Sequence, residues 1–217
     1  MSPKKSTSEE IIIILQNCST LVGSTLERMS ELLTNSLLFH PGIEERVVLI
    51  EQLYINVINF LDDISTTVIV PTEKEYASLV PSYDYVFDHL KIVANLMVDL
   101  NTLLSHKHIE MRLPFMDVLY ALNHTVADSI SLFNRIIQPD FKKIKHLDKI
   151  QLTELDISSQ KLYRVMLKYM MQETQTLKDE FSLYIMANKM KEIVSHCCIA
   201  CKKMYTVLFE KEKKKEK

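Results

Sequence analysis

The densest set of chemically capable side chains in this chain is His196-Cys197-Cys198, followed by Cys201. An imidazole and three thiols in little more than one helical turn, with Cys197 and Cys201 on one face as i and i+4, are donor types that zinc accepts. The competing reading is packing, because Cys197 falls on an apolar stripe where a thiol serves as a small hydrophobe. Asp84 and Asp88 set two carboxylates one turn apart, a spacing that suits a hard cation, although carboxylates also collect at helix starts because they favour that end of the helix dipole. His106, His108 and Glu110 alternate along the chain and would converge on an ion only if the segment were extended; otherwise they form a polar connection.

Patterns that would indicate catalysis are missing. There is no Gly-x-Ser-x-Gly elbow and no His-Glu-x-x-His, and with Gly23 and Gly42 as the only glycines there is no backbone to cradle a phosphate. No Glu-x-x-His pair supports a di-iron carboxylate bundle. The chain is therefore expected to be no enzyme and to require no cofactor. Twenty-six basic against 28 acidic residues, a formal charge of -2, provide no footprint for duplex nucleic acid. The run from Lys211 to Lys217 is interleaved with glutamate and reads as a solvated helix end.

Clustered cysteines on one helix cannot pair across a fold, so a reducing compartment is expected. The Ile11 to Leu15 run sits directly behind Glu9 and Glu10 and is too short to span a bilayer. The expectation is a cytoplasmic protein without direct membrane insertion.

Two glycines and six prolines leave little turn chemistry for a sheet protein, whereas apolar residues recur at alternating spacings of three and four. This predicts an all-α fold. Helix 1 runs from about Ser8 to Ser36 along Ile11, Leu15, Cys18, Val22, Thr25, Met29 and Leu32. Helix 2 runs from Ile43 to near Thr67. Helix 3 carries Tyr83, Phe87, Leu90, Ala94, Met97 and Leu104. Helix 4 starts near Pro114 and includes Phe133, helix 5 covers about Asp140 to Met171, and helix 6 about Thr174 to Lys211. Long helices with short connections pack antiparallel. The predicted architecture is two repeated three-helix bundles, residues 1–108 and 109–217, each spectrin-repeat-like.

The repeat is visible in the residues. Leu90-Lys91-Ile92-Val93-Ala94-Asn95 and Lys191-Glu192-Ile193-Val194-Ser195-His196 match in order at a spacing of 101. With such stretches late in the third and sixth helices, the chain resembles the PhoU family of phosphate-signalling regulators. That family's signature reads approximately Leu-Glu-Arg-Ile-Gly/Ala-Asp-His/Leu. Met190 to His196 overlays its apolar frame and histidine, and His89 to Ala94 does so more faintly. The resemblance places the family's metal-binding Glu and Asp at Leu90 and Ala94, and again at Lys191 and Ser195. None of these four offers a carboxylate, so the resemblance implies that the family's metal sites are lost. Asp84 and Asp88 would be a retained pair only if the frame slid.

What the resemblance implies for function is a non-enzymatic regulator or adaptor in phosphate uptake. It would dock the cytosolic face of a phosphate transporter or a sensor kinase through Lys191, Glu192 and Ser195, positions expected to face outward. A homodimer is compatible with this reading. The alternatives are a cytosolic PhoU-like domain associated with a sodium–phosphate cotransporter, and a metal-binding bundle using Asp84 and Asp88 or His196, Cys197 and Cys201.

Overall fold

The computed structural model describes residues 8–38, 43–67, 80–105, 113–137, 147–172 and 177–215, and every one of these segments is helical. In chain order they are α1 (Ser8–Leu38), α2 (Ile43–Thr67), α3 (Val80–Ser105), α4 (Leu113–Ile137), α5 (Leu147–Gln172) and α6 (Leu177–Lys215). The all-α class is as predicted. The isoleucine run at the start of α1 is helical despite its β-branched side chains, since the apolar stripe behind it buries Leu15, Cys18, Val22, Leu26 and Met29. Glu44 and Glu45 occupy the first turn of α2, where they complement the dipole.

The boundaries move slightly. Helix 3 begins at Val80, so that Pro81 lies inside its first turn, where a missing N–H costs nothing. Helix 5 is described from Leu147, so the predicted start at Asp140 lies outside the described residues. Helix 6 extends to Lys215.

Cross-helix contacts fix the directions. Asp99 meets Lys189 while His89, earlier on α3, meets His196, later on α6, so these helices are antiparallel. The same reasoning applies to α1 and α4, through Thr34 with Asn123 and Gly23 with Asn134, and to α2 and α3, through Asp62 with Lys91 and Val47 with Asn101. Helices α1, α3, α6 and α4 form a closed ring of neighbours. α2 packs outside on α1 and α3, and α5 outside on α4 and α6. The pair α3 and α6 makes the most extensive contact, and one continuous apolar core draws side chains from all six described helices.

Burial corrects the repeat spacing. From Tyr83 to Leu104 the ten buried positions of α3 each correspond to a buried position of α6 at a spacing of 100: Tyr83 to Leu183, Leu90 to Met190, Ala94 to Val194, Leu104 to Met204. At 101, Leu90 and Ala94 would instead align with the half-exposed Lys191 and Ser195. The buried positions of α1 from Leu15 to Leu37 also recur in α4 at 100, from Phe115 to Ile137. The sequence match followed the identical Ile-Val dipeptides, whereas the core selects apolar character at each position and is indifferent to which apolar residue supplies it.

The polar contacts obey the same spacing. Asn123 donates its amide N–H to Thr34 Oγ1 at 2.7 Å, and Asn134 donates to the Gly23 carbonyl at 3.2 Å. Adding 100 to Thr34 and Gly23 turns each contact into the other, the exchange that a twofold relation between the halves produces. A further pair follows the pattern: Lys91 reaches outward from α3 to Asp62 of α2 at 2.7 Å, and Lys191 reaches outward from α6 over the Tyr163 ring of α5 at 4.5 Å.

Candidate functional site

The sequence-predicted positions are dispersed by the fold. Leu90 and Ala94 are wholly buried on the inner face of α3, and at the spacing of 100 the equivalents of Lys191 and Ser195 are the half-buried Lys91 and the exposed Asn95, so the overlay that put the first pair of family positions at Leu90 and Ala94 is one residue out of register. Lys191, Glu192 and Ser195 are half-buried, and Lys191 is occupied. Its ammonium donates to Asn188 Oδ1 at 2.9 Å and lies over Tyr163, while Asn188 in turn donates to Glu192 Oε1 at 2.8 Å. Tyr163 donates its hydroxyl to Tyr184 at 2.8 Å, and desolvation with this hydrogen bond raises the Tyr163 phenol to about 12. This is a structured polar cluster tying α5 to α6, in place of a free cationic patch.

The thiols diverge. Cys197 turns toward Ser129 of α4, Cys198 donates to the Leu152 carbonyl of α5 at 3.6 Å, and His196 turns toward α3. Consecutive residues on a helix point about 100° apart, which is why a compact sequence cluster becomes three separate contacts. Cys18, Cys197, Cys198 and Cys201 are all buried thiols outside any disulfide. Burial pushes the Cys197 and Cys198 thiols up to about 12 and Cys18 up to about 11, so all three are held as neutral thiols. Among the described residues no group of three or more His, Cys, Asp or Glu is placed to hold a metal ion. The thiols are buried as packing side chains, and the divergence of His196, Cys197 and Cys201 counts against the metal-binding alternative for these three.

Asp84 and Asp88 do share the exposed side of α3. Desolvation and then the Asp88 charge raise the Asp84 carboxyl, partly offset by Lys91. His106, His108 and Glu110 lie outside the described residues. A shallow cleft of about 250 Å³ between α1 and α4 carries Glu27, Glu31 and Asp128, but Arg28 holds Glu31 at 2.8 Å and Asn134 holds Glu27 at 2.9 Å.

The arrangement that the sequence reading missed is the pair His89 and His196. Their Nδ1 atoms stand 2.7 Å apart across the α3–α6 contact, with the ring centroids 5.0 Å apart and Tyr85 edge-on to His89 at 4.6 Å. At that distance one Nδ1–H donates to the other ring's bare Nδ1, so the contact requires at least one neutral imidazole. Desolvation, and after it the neighbouring His196, lower the His89 pKa, opposed by the Asp88 charge. No local spacing foretold this, since the two histidines are 107 residues apart and meet only through the antiparallel register.

No family model matches the sequence, and no curated protein matches it. Among the described residues, no helix is long and apolar enough to cross a membrane.

Proposed function

We propose that the chain is a PhoU-like adaptor in phosphate uptake and its signalling, acting by binding a phosphate transporter's cytosolic face or a sensor kinase. The observation that carries this reading is the twofold recurrence of the buried faces of α1 and α3 in α4 and α6, a layout in keeping with two repeated three-helix units. The resemblance at Met190 to His196 adds the link to phosphate. On this reading residues 1–108 and 109–217 are the two units, and the α5–α6 cluster of Tyr163, Lys191, Glu192 and Ser195 is the docking surface. Attachment to a sodium–phosphate cotransporter would use the same surface.

The test is affinity capture with the full chain from cells grown at high and at low phosphate, followed by direct binding to the captured protein. Recovery of a transporter or kinase of phosphate uptake supports the reading. Capture without any such component under either condition sinks it. Ser195→Arg places a bulky cation on the half-buried cluster without removing a described hydrogen bond, and should weaken the captured interaction about tenfold.

A further inference from the structure

We propose that His89 and His196 form a two-imidazole site for one divalent transition-metal ion of the zinc type, clipping α3 to α6. Two imidazole nitrogens from different helices face each other at hydrogen-bond distance, and the neutral imidazole is the form that binds metal. Both rings are half-buried, so an ion can reach them while the helices hold the donors in place. The Asp88 charge acts on His89 and favours a cation beside it. Lys203, 5.9 Å from the Tyr85 ring, is the opposing cation in the neighbourhood.

Metal uptake requires the two rings to part and to turn so that both lone pairs aim at a point beside the line joining them. With Zn–N bonds of about 2.0–2.1 Å and tetrahedral angles, the two nitrogens stand roughly 3.3 Å apart, about 0.6 Å more than the 2.7 Å of the resting pair. The proton on the donating Nδ1 moves to Nε2 of the same ring, so the pair remains neutral and both Nδ1 lone pairs face the ion. Because no third His, Cys, Asp or Glu of the described residues completes a ligand group, water fills the remaining positions and the ion is exchangeable. This inference stands independently of the phosphate reading, as it uses neither the family overlay nor any partner.

The experiment uses the full chain without a histidine tag, purified free of metal, titrated with zinc against a chromogenic chelator at pH 7.5 and with cobalt(II) by visible absorption. The expected result is one ion per chain at this site and a rise in Tm on adding zinc. His89→Gln and His196→Gln should each weaken that binding at least tenfold, with the double variant no weaker than either single one, since the donors act as a unit. His124→Gln, on the exposed side of α4, should bind like the parent. Far-UV circular dichroism confirms that each variant is folded, and glutamine keeps a polar group at the α3–α6 contact. Failure of the folded parent to take up either ion overturns the proposal, as does uptake that is equal in the parent and in both glutamine variants.

Discussion

At the scale of the residue, the His89–His196 contact makes the fold sensitive to acid. An unfolded histidine titrates near pH 6.5, and in the native chain burial and the facing ring lower His89 below that value. The unfolded state therefore binds protons first as the pH falls. The contribution is fully present above about pH 6.5 and is lost as the pH drops through the depressed native value. Asp88 on α3 moderates the effect and Lys203 on α6 lies beyond Tyr85. The urea midpoint of the parent should fall between pH 7.5 and pH 5.5 by more than that of His196→Gln, and equal slopes would refute the assignment. The thiols give a second expectation. With Cys197, Cys198 and Cys201 at most 1% exposed, and the first two and Cys18 raised to about 11–12, iodoacetamide at pH 8 should leave the folded protein unmodified and label all four cysteines once it is denatured.

At the scale of the element, Gly23 makes room for the Asn134 side chain where α1 and α4 pack together. A Cβ there would collide with the Asn134 amide while standing in ordinary contact with Ile137 Cδ1, whereas the glycine lets Asn134 bond both the Gly23 carbonyl and Glu27. Alanine in a helix interior gains about 1 kcal/mol over glycine. Displacing the amide forfeits two hydrogen bonds of roughly 0.5–1.5 kcal/mol each. Gly23→Ala should thus destabilise by about 1 kcal/mol, a difference of two larger effects. Once Asn134 is alanine the collision is gone, so Gly23→Ala in that background should stabilise, a reversal of sign measurable by urea unfolding. Lys191→Glu tests the other tether. Losing the ammonium over Tyr163 and placing a second carboxylate beside Glu192 should cost about 1 kcal/mol, so a binding defect in that variant alone would not locate a docking face.

At the scale of the whole molecule, the six helices were legible because burial imposes a 3.6-residue period that hydrophobic patterning records directly. The register of the repeat was legible only to within one residue, since any apolar residue satisfies a buried position and chance Ile-Val identities can outweigh the true alignment. The histidine pair and the Lys191 tether were invisible, as each depends on which helix lies opposite, a property of the assembled ring. That ring also decides how the protein unfolds. The core crosses from the first half into the second through α3 and α6, and Leu90 and Met190 occupy equivalent buried places in it. Leu90→Ala should therefore remove about 2–5 kcal/mol, as is usual for a fully buried leucine. If the halves shared no core, the loss would be confined to α1, α2 and α3. With one core it must be felt throughout, so amide hydrogen exchange that proceeds by global unfolding should quicken by the same factor in α4 and α6 as in α1 and α3. Exchange that quickens in the first three helices while α4 and α6 keep their protection would mean that the halves unfold separately and that the α3–α6 contact is a docking surface between independent bundles.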